Sequence, residues 1–151
     1  LGGVLGTTSV LGFGSSVTGI SLVGGTIDTT TVGNMAFSMP RDGVITSIAA
    51  YFSTTLGVSL IGSDVTVEAT LYSSTTPDNV FAPIALATVT LAPAFNGLIA
   101  IGDIADGITT GLSIPVTAGT RLLLVFSASV TDGIDIAATL TGYASAGVAI
   151  S

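Results

Sequence analysis

Between Asp64 and Ser73 the chain alternates strictly. Val65, Val67, Ala69 and Leu71 fall on one side, and Thr66, Glu68, Thr70 and Tyr72 on the other. A period of two is the mark of a half-buried β-strand, since a helix would scatter the same residues round its circumference. Ile108, Thr110, Leu112, Ile114 and Val116 repeat the alternation, with Pro115 pointing to an edge or a strand end. Turn signals stand at Gly24-Gly25, Arg41-Asp42-Gly43, Thr76-Pro77-Asp78-Asn79, Asn96-Gly97, Asp106-Gly107, Ala118-Gly119 and Asp132-Gly133. Between them strands are predicted near 17–23, 33–39, 44–53, 64–73, 84–92, 98–104, 108–116, 120–129 and 136–149. So many short strands in one domain predict an all-β fold: two packed antiparallel sheets, a β-sandwich of jelly-roll arrangement.

One predicted strand differs from the rest. Leu122, Leu123, Leu124, Val125 and Phe126 are apolar on both faces, so neither face can be left in water without cost. Either the second face lies against another subunit or the strand is central and packed under a loop. The segment from Tyr143 to Ser151 is small, apolar and uncharged, and with it the pattern points to an oligomer.

Hydropathy changes the picture less than its value implies. Residues 1–27, 43–63 and 79–102 carry no charge, and each run exceeds the roughly 20 residues of a spanning helix. They are rich in Gly, Thr, Ser and β-branched residues, which disfavour helix. Lys and Trp are absent, so positive-inside loops and aromatic belts are missing. Aromatic residues, at 6%, form no two girdles of an outer-membrane barrel either. The chain is expected not to be embedded in a membrane.

The 151 residues suit one domain. The charged residues are two Arg and nine Asp or Glu, giving a net charge of −7, and Lys, His, Cys and Trp are all absent. Two cations cannot neutralise a phosphate backbone, which excludes nucleic acid as a partner. Without His or Lys no base exists for a nucleophilic hydroxyl, and without Cys there is no thiolate or disulfide. Gly12-Phe13-Gly14 opens like a dinucleotide fingerprint, but Thr18 stands near the third glycine and no βαβ unit surrounds it. The expectation is a protein that is not an enzyme and holds no cofactor.

Two acidic turns retain some chemistry. Asp103 with Asp106, and Asp132 with Asp135, each place two carboxylates in one loop, where turn carbonyls could complete a Ca²⁺ shell. Asp is equally a good turn residue. Arg41, beside Asp42 in a Pro-Arg-Asp-Gly turn, is expected to form a local or intersubunit ion pair, and Arg121 to meet a carboxylate such as Glu68. Residues 1–16 form a Gly-rich lead-in without the strict period of collagen, ahead of a head domain over 17–151. The chain begins at Leu1 without a Met and reads as a C-terminal fragment.

Four blocks carry a resemblance: Phe37–Phe52 (FSMPRDGVITSIAAYF), Leu71–Asn79 (LYSSTTPDN), Gly107–Val116 (GITTGLSIPV) and Gly142–Gly147 (GYASAG). They resemble the BclB-type C-terminal domain of collagen-like glycoproteins of the exosporium, the outer layer of Bacillus-type spores. The likeness runs from about residue 11 to the end. It implies a homotrimeric jelly roll of the tumour-necrosis-factor or complement-head type, on a collagen-like stalk N-terminal to this segment. Such a head would set the register of three chains and present the outer contact surface of the spore. Leu122, Leu124, Phe126, Tyr143 and Val148 are the expected trimer interface. The alternative is an adhesin or lectin-like module recognising host ligands or other spore-surface proteins, with Tyr72, Asp78 and Asn79 as contacts.

Overall fold

The computed structural model describes residues 22, 24–30, 35–76, 78–134 and 139–151. Ten strands run in chain order: β1 (Ile27–Asp28), β2 (Phe37–Ser38), β3 (Gly43–Thr54), β4 (Val58–Ser74), β5 (Val80–Thr90), β6 (Phe95–Ile99), β7 (Ile104–Thr109), β8 (Ile114–Val116), β9 (Arg121–Gly133) and β10 (Gly142–Ile150). Among the described residues no helix is long and apolar enough to cross a membrane.

The strands form two sheets, antiparallel throughout. One has the order β1-β5-β4-β9-β2 with β6 also on β4; the other has β10-β3-β7 with β8 also on β3. Alternation decides which side chains meet between them. Val65, Val67, Ala69 and Leu71 of β4 point inward with Leu60, Ala87, Val89 and Phe95, toward Ile45, Ile48, Ala50 and Phe52 of β3 and Ala105 of β7. Phe52 and Phe95 meet edge to face across the gap, centroids 6.0 Å apart. Removing each large aliphatic side chain from water stabilises the fold by about 1.5–3 kcal/mol. This layered packing is that of a β-sandwich.

The pairings are nested along the chain. β4 pairs with β5, β3 with β7 and β8 outside that hairpin, and β2 with β9 outside those. Two long ladders cross this nested set, β4 with β9 and β3 with β10, and so does the two-residue β1, which joins β5 at the far edge.

A second, smaller apolar layer lies behind the larger sheet. Ile27, Tyr72 and Phe81 are buried there, with Ala36, Leu123 and Val125 packed against them. β9 thus has β4 along one edge and, at Arg121 and Leu122, β2 along the other, and this layer covers part of its outward Leu123 and Val125. Within one chain Leu123 and Val125 on one face, and Leu124 and Phe126 on the other, are half-buried.

Several predicted boundaries shift. The Asp106-Gly107 turn lies inside β7, and Asn96-Gly97 lies inside β6. A strand over 108–116 divides at Gly111, whose positive φ of 71° ends β7 and lets β8 return to β3. The strand expected near 33–39 is reduced to Phe37–Ser38. The strand expected over 17–23 and the lead-in over 1–16 lie outside the described residues, Leu22 excepted.

Candidate interaction surfaces

Opposite ends of the sandwich differ in chemistry. At one end Gly43 of β3 pairs with Val116, Ser74 of β4 with Arg121, and the Ser151 amide donates to the Val44 carbonyl at 2.9 Å. Here lie both arginines. Arg41 does not form an ion pair with Asp42: its Nη1 donates to the Asp42 carbonyl at 2.8 Å, while the Asp42 carboxylate accepts from the Ala118 amide at 2.7 Å.

Arg121 does not meet Glu68. The register sets Arg121 opposite Ser74 and Glu68 opposite Ser127, six positions apart on one strand pair. Its Nη1 donates instead to the Asp78 carbonyl and to Asn79 Oδ1 at 3.3 Å, and the guanidinium lies over the Phe81 ring, 5.1 Å from the centroid. Nη2 is buried without a hydrogen-bond partner. An arginine in this position fastens the β4–β5 turn to β9, and part of its hold is cation–π attraction.

The turn itself is built round one carboxylate. Asp78 accepts from the Thr76 hydroxyl at 2.8 Å, the Ser74 hydroxyl at 2.9 Å and the Val80 amide at 3.1 Å. The Thr76 hydroxyl first, then the Val80 amide and the Ser74 hydroxyl, hold its carboxyl below the ordinary value. Asp28, alongside Val80, is lowered by the Thr30 amide and hydroxyl. Both groups are charged with partners in the folded state, so their stabilisation is complete above the unfolded carboxylate range near pH ~4 and is lost as pH falls through the lower folded values. Asp78→Asn is expected to flatten the acid limb of a pH–stability curve below about pH 4, measured by thermal melting; an unchanged acid limb would contradict this.

Of the residues expected to contact a sugar, Tyr72 is buried in the second apolar layer. Asp78 and Asn79 are exposed, but their oxygens already serve the turn. The acidic residues do not converge. Asp103 accepts from the Ala100 amide at 2.9 Å, Asp132 from the Gly133 amide at 2.9 Å, and Asp106 stands exposed on β7 opposite Tyr51. Among the described residues no group of three or more acidic, His or Cys side chains is placed to hold a metal. Asp135 lies outside the described residues.

The expected interface residues separate into three environments. Leu122 is buried in the main core. Leu124 and Phe126 of β9 and Val148 of β10 face the same core and are only partly buried. Tyr143 points the other way and is 74% exposed.

That outward direction leads to a surface the sequence patterning did not single out. Across the smaller sheet the registers align Tyr143, Ser53 and Ile104; then Ser145, Tyr51 and Asp106; then Gly147, Ala49 and Ile108. Ile108 is 67% exposed, and Ile104 and Tyr51 are exposed too. Gly147 and Ala49 leave a trough between the larger side chains, a shallow concavity of about 400 Å³ lined also by Tyr51, Asp106, Ile108 and Ser145. The three rows carry one charge, Asp106. An apolar concave face with so little charge is fitted to contact another protein surface.

No family model and no solved structure matches the chain. It is similar to Collagen-like protein 1 of Acanthamoeba polyphaga mimivirus, 37% identical over 156 residues that cover 99% of this chain and 16% of that protein. The chain thus spans about a sixth of the length of the curated relative it matches.

Proposed function

We propose that this domain is a structural, non-catalytic head of a collagen-like fibre, acting as a homotrimer that holds three stalk chains in register. The observation that carries this reading is the exposed face of β10, β3 and β7. Its apolar rows, with the single carboxylate of Asp106, suit contact between copies of a chain whose net charge of −7 is self-repelling. Similarity to a collagen-like protein supports the stalk, because a collagen helix is made of three chains. The nested pairings support a jelly roll of the tumour-necrosis-factor or complement-head type: a long antiparallel ribbon, rolled up, produces this interleaving of two sheets. The likeness of four blocks to the BclB-type domain supports a place for such a head on a spore's outer layer.

A trimer formed before the stalk winds brings three chain ends together, which raises their effective concentration for triple-helix nucleation. Tyr143 belongs to the proposed contact face, while Leu124, Phe126 and Val148 support it from the core side. Light scattering after size exclusion, without detergent, is expected to give about three times 14.8 kDa. Ile108→Asp, at an exposed position, is expected to reduce that mass to 14.8 kDa while the circular-dichroism spectrum stays β. A wild-type monomer at all concentrations would remove the trimeric head; a trimer that survives Ile108→Asp would move the interface off this face.

A further inference from the structure

The end of the sandwich remote from the two arginines carries a second apolar surface. There Thr54 closes β3, Val58 opens β4 opposite Ile99, and Gly133 of β9 lies opposite Ser63. Leu56 stands in the β3–β4 connection, and Ile61 and Leu98 on the projecting β4–β6 pair, where Ser59 faces Leu98. Ile101 sits in the β6–β7 turn, and the Ile134 amide donates to the Gly62 carbonyl at 2.9 Å. All five are between 59% and 76% exposed. Their neighbours Leu60 and Ile99 already fill the core, so these five are not needed for packing.

The turns that present them are firmly held. The buried Thr54 hydroxyl donates to the Ala100 carbonyl at 2.6 Å and accepts from the Asp103 amide at 3.0 Å, and the Gly102 amide donates to the Thr54 carbonyl at 2.9 Å. Ile101 is therefore raised on a fixed turn. Among the described residues the charges at this end are Asp64, Asp103 and Asp132, with no cation.

We infer that this tip is a docking surface for an uncharged lipid bilayer, into whose interface the five aliphatic side chains insert. They project from separate turns and a projecting strand pair, whereas the concavity able to receive a shaped protein surface lies on the β3–β7–β10 face. A fluid acyl boundary accepts separate protruding side chains, and binding to it grows with the apolar area inserted. Three carboxylates without a cation disfavour anionic lipids, and they equally disfavour a second copy placed tip to tip. Both arginines, β1, β2 and Ser151 gather at the far end, so the tip points away from where the first described strands enter the sheets. The inference rests on this asymmetry and not on the number of subunits.

The test is flotation of the whole chain with vesicles of pure phosphatidylcholine. Wild type is expected to float with the vesicles, and the combined variant Leu98→Ser, Ile101→Ser, Ile134→Ser to lose about tenfold or more in lipid partition. Its melting temperature should hold, because the three positions are exposed. Leu86→Ser, exposed on β5 and outside both apolar surfaces, is the control and should float as wild type does. The inference is overturned by wild type that stays free of phosphatidylcholine, by a triple variant that floats equally well, or by flotation confined to phosphatidylserine vesicles. It is also overturned if the triple variant changes the mass of the assembly, which would make the tip a contact between copies.

Discussion

Phe81→Ala is expected to destabilise the domain by about 3–5 kcal/mol, as large truncations in packed interiors do. Phe81 is fully buried, yet it lies behind the larger sheet rather than between the two. Its ring covers Tyr72 and completes the layer over Leu123 and Val125, and its face carries the Arg121 guanidinium. Removing it opens a cavity and leaves the guanidinium, which already has one unpartnered nitrogen, above an empty space. Urea denaturation followed by circular dichroism measures the loss. A cost below about 1 kcal/mol would mean that the second layer contributes little and that β9 needs cover from elsewhere.

Gly142→Ala is expected to detach β10. A Cβ at residue 142 would sit 2.1 Å from the Ser53 carbonyl oxygen and 2.6 Å from the Phe52 ring. The first neighbour is backbone and cannot move without breaking the Gly142–Thr54 and Tyr143–Ser53 rungs that start the β10–β3 ladder. Because β10 supplies Tyr143, Ser145 and Gly147 to the exposed face, assembly should fall with it. Hydrogen exchange is expected to show lost protection over 142–147, with β4 and β9 unchanged, and light scattering a lower mass. Retained protection over 142–147 would show that the close approach can be relaxed. For hydrogen exchange Gly147→Ala is the matched comparison, since within the chain a Cβ there meets nothing within 4 Å.

The sandwich was legible where a strand has two unlike neighbours. Val65, Val67, Ala69 and Leu71 alternate with polar residues because β4 has the core on one side and, on the other, a half-buried face of hydrogen-bonding side chains such as Thr66 and Thr70. Legibility failed where glycine served packing instead of a turn. Gly107 looks like the second half of a turn signal, but a Cβ there would lie 2.8 Å from the Thr90 carbonyl oxygen. Its smallness lets β7 pass close to β5. Gly97 supplies a positive φ of 66° within β6, beside the irregular register of β4 between Leu60 and Asp64. Glycine composition does not distinguish these uses from a turn.

The contact surfaces were read only in part for a related reason. Five consecutive apolar residues at Leu122–Phe126 demand cover on both faces, and that much follows from their chemistry. Part of the cover, over Leu123 and Val125, comes from Ile27, Phe81 and Tyr72, brought from three places by pairings with no local signature. Arg121 was matched with Glu68 for want of the register, which sends it to the Asp78 turn. Tyr143 was found through the uncharged run from 143 to 151. Ile104 and Ile108 were hidden, because their exposure depends on which side of β7 faces the opposing sheet.

The unequal spans of the pairings along the chain impose an order in time. β4 and β5 are joined by a short turn and can meet as soon as both exist, whereas Phe37 must wait for Leu122 and Tyr143 must find Ser53 across most of the chain. Each outer pairing closes a longer loop and bears a larger entropic cost, so the ribbon closes from its centre outward and slowly for its size. During synthesis the ribosome releases β2 and β3 long before their last partners emerge. Both therefore spend that interval with open edges, the period in which a neighbouring nascent chain competes for them.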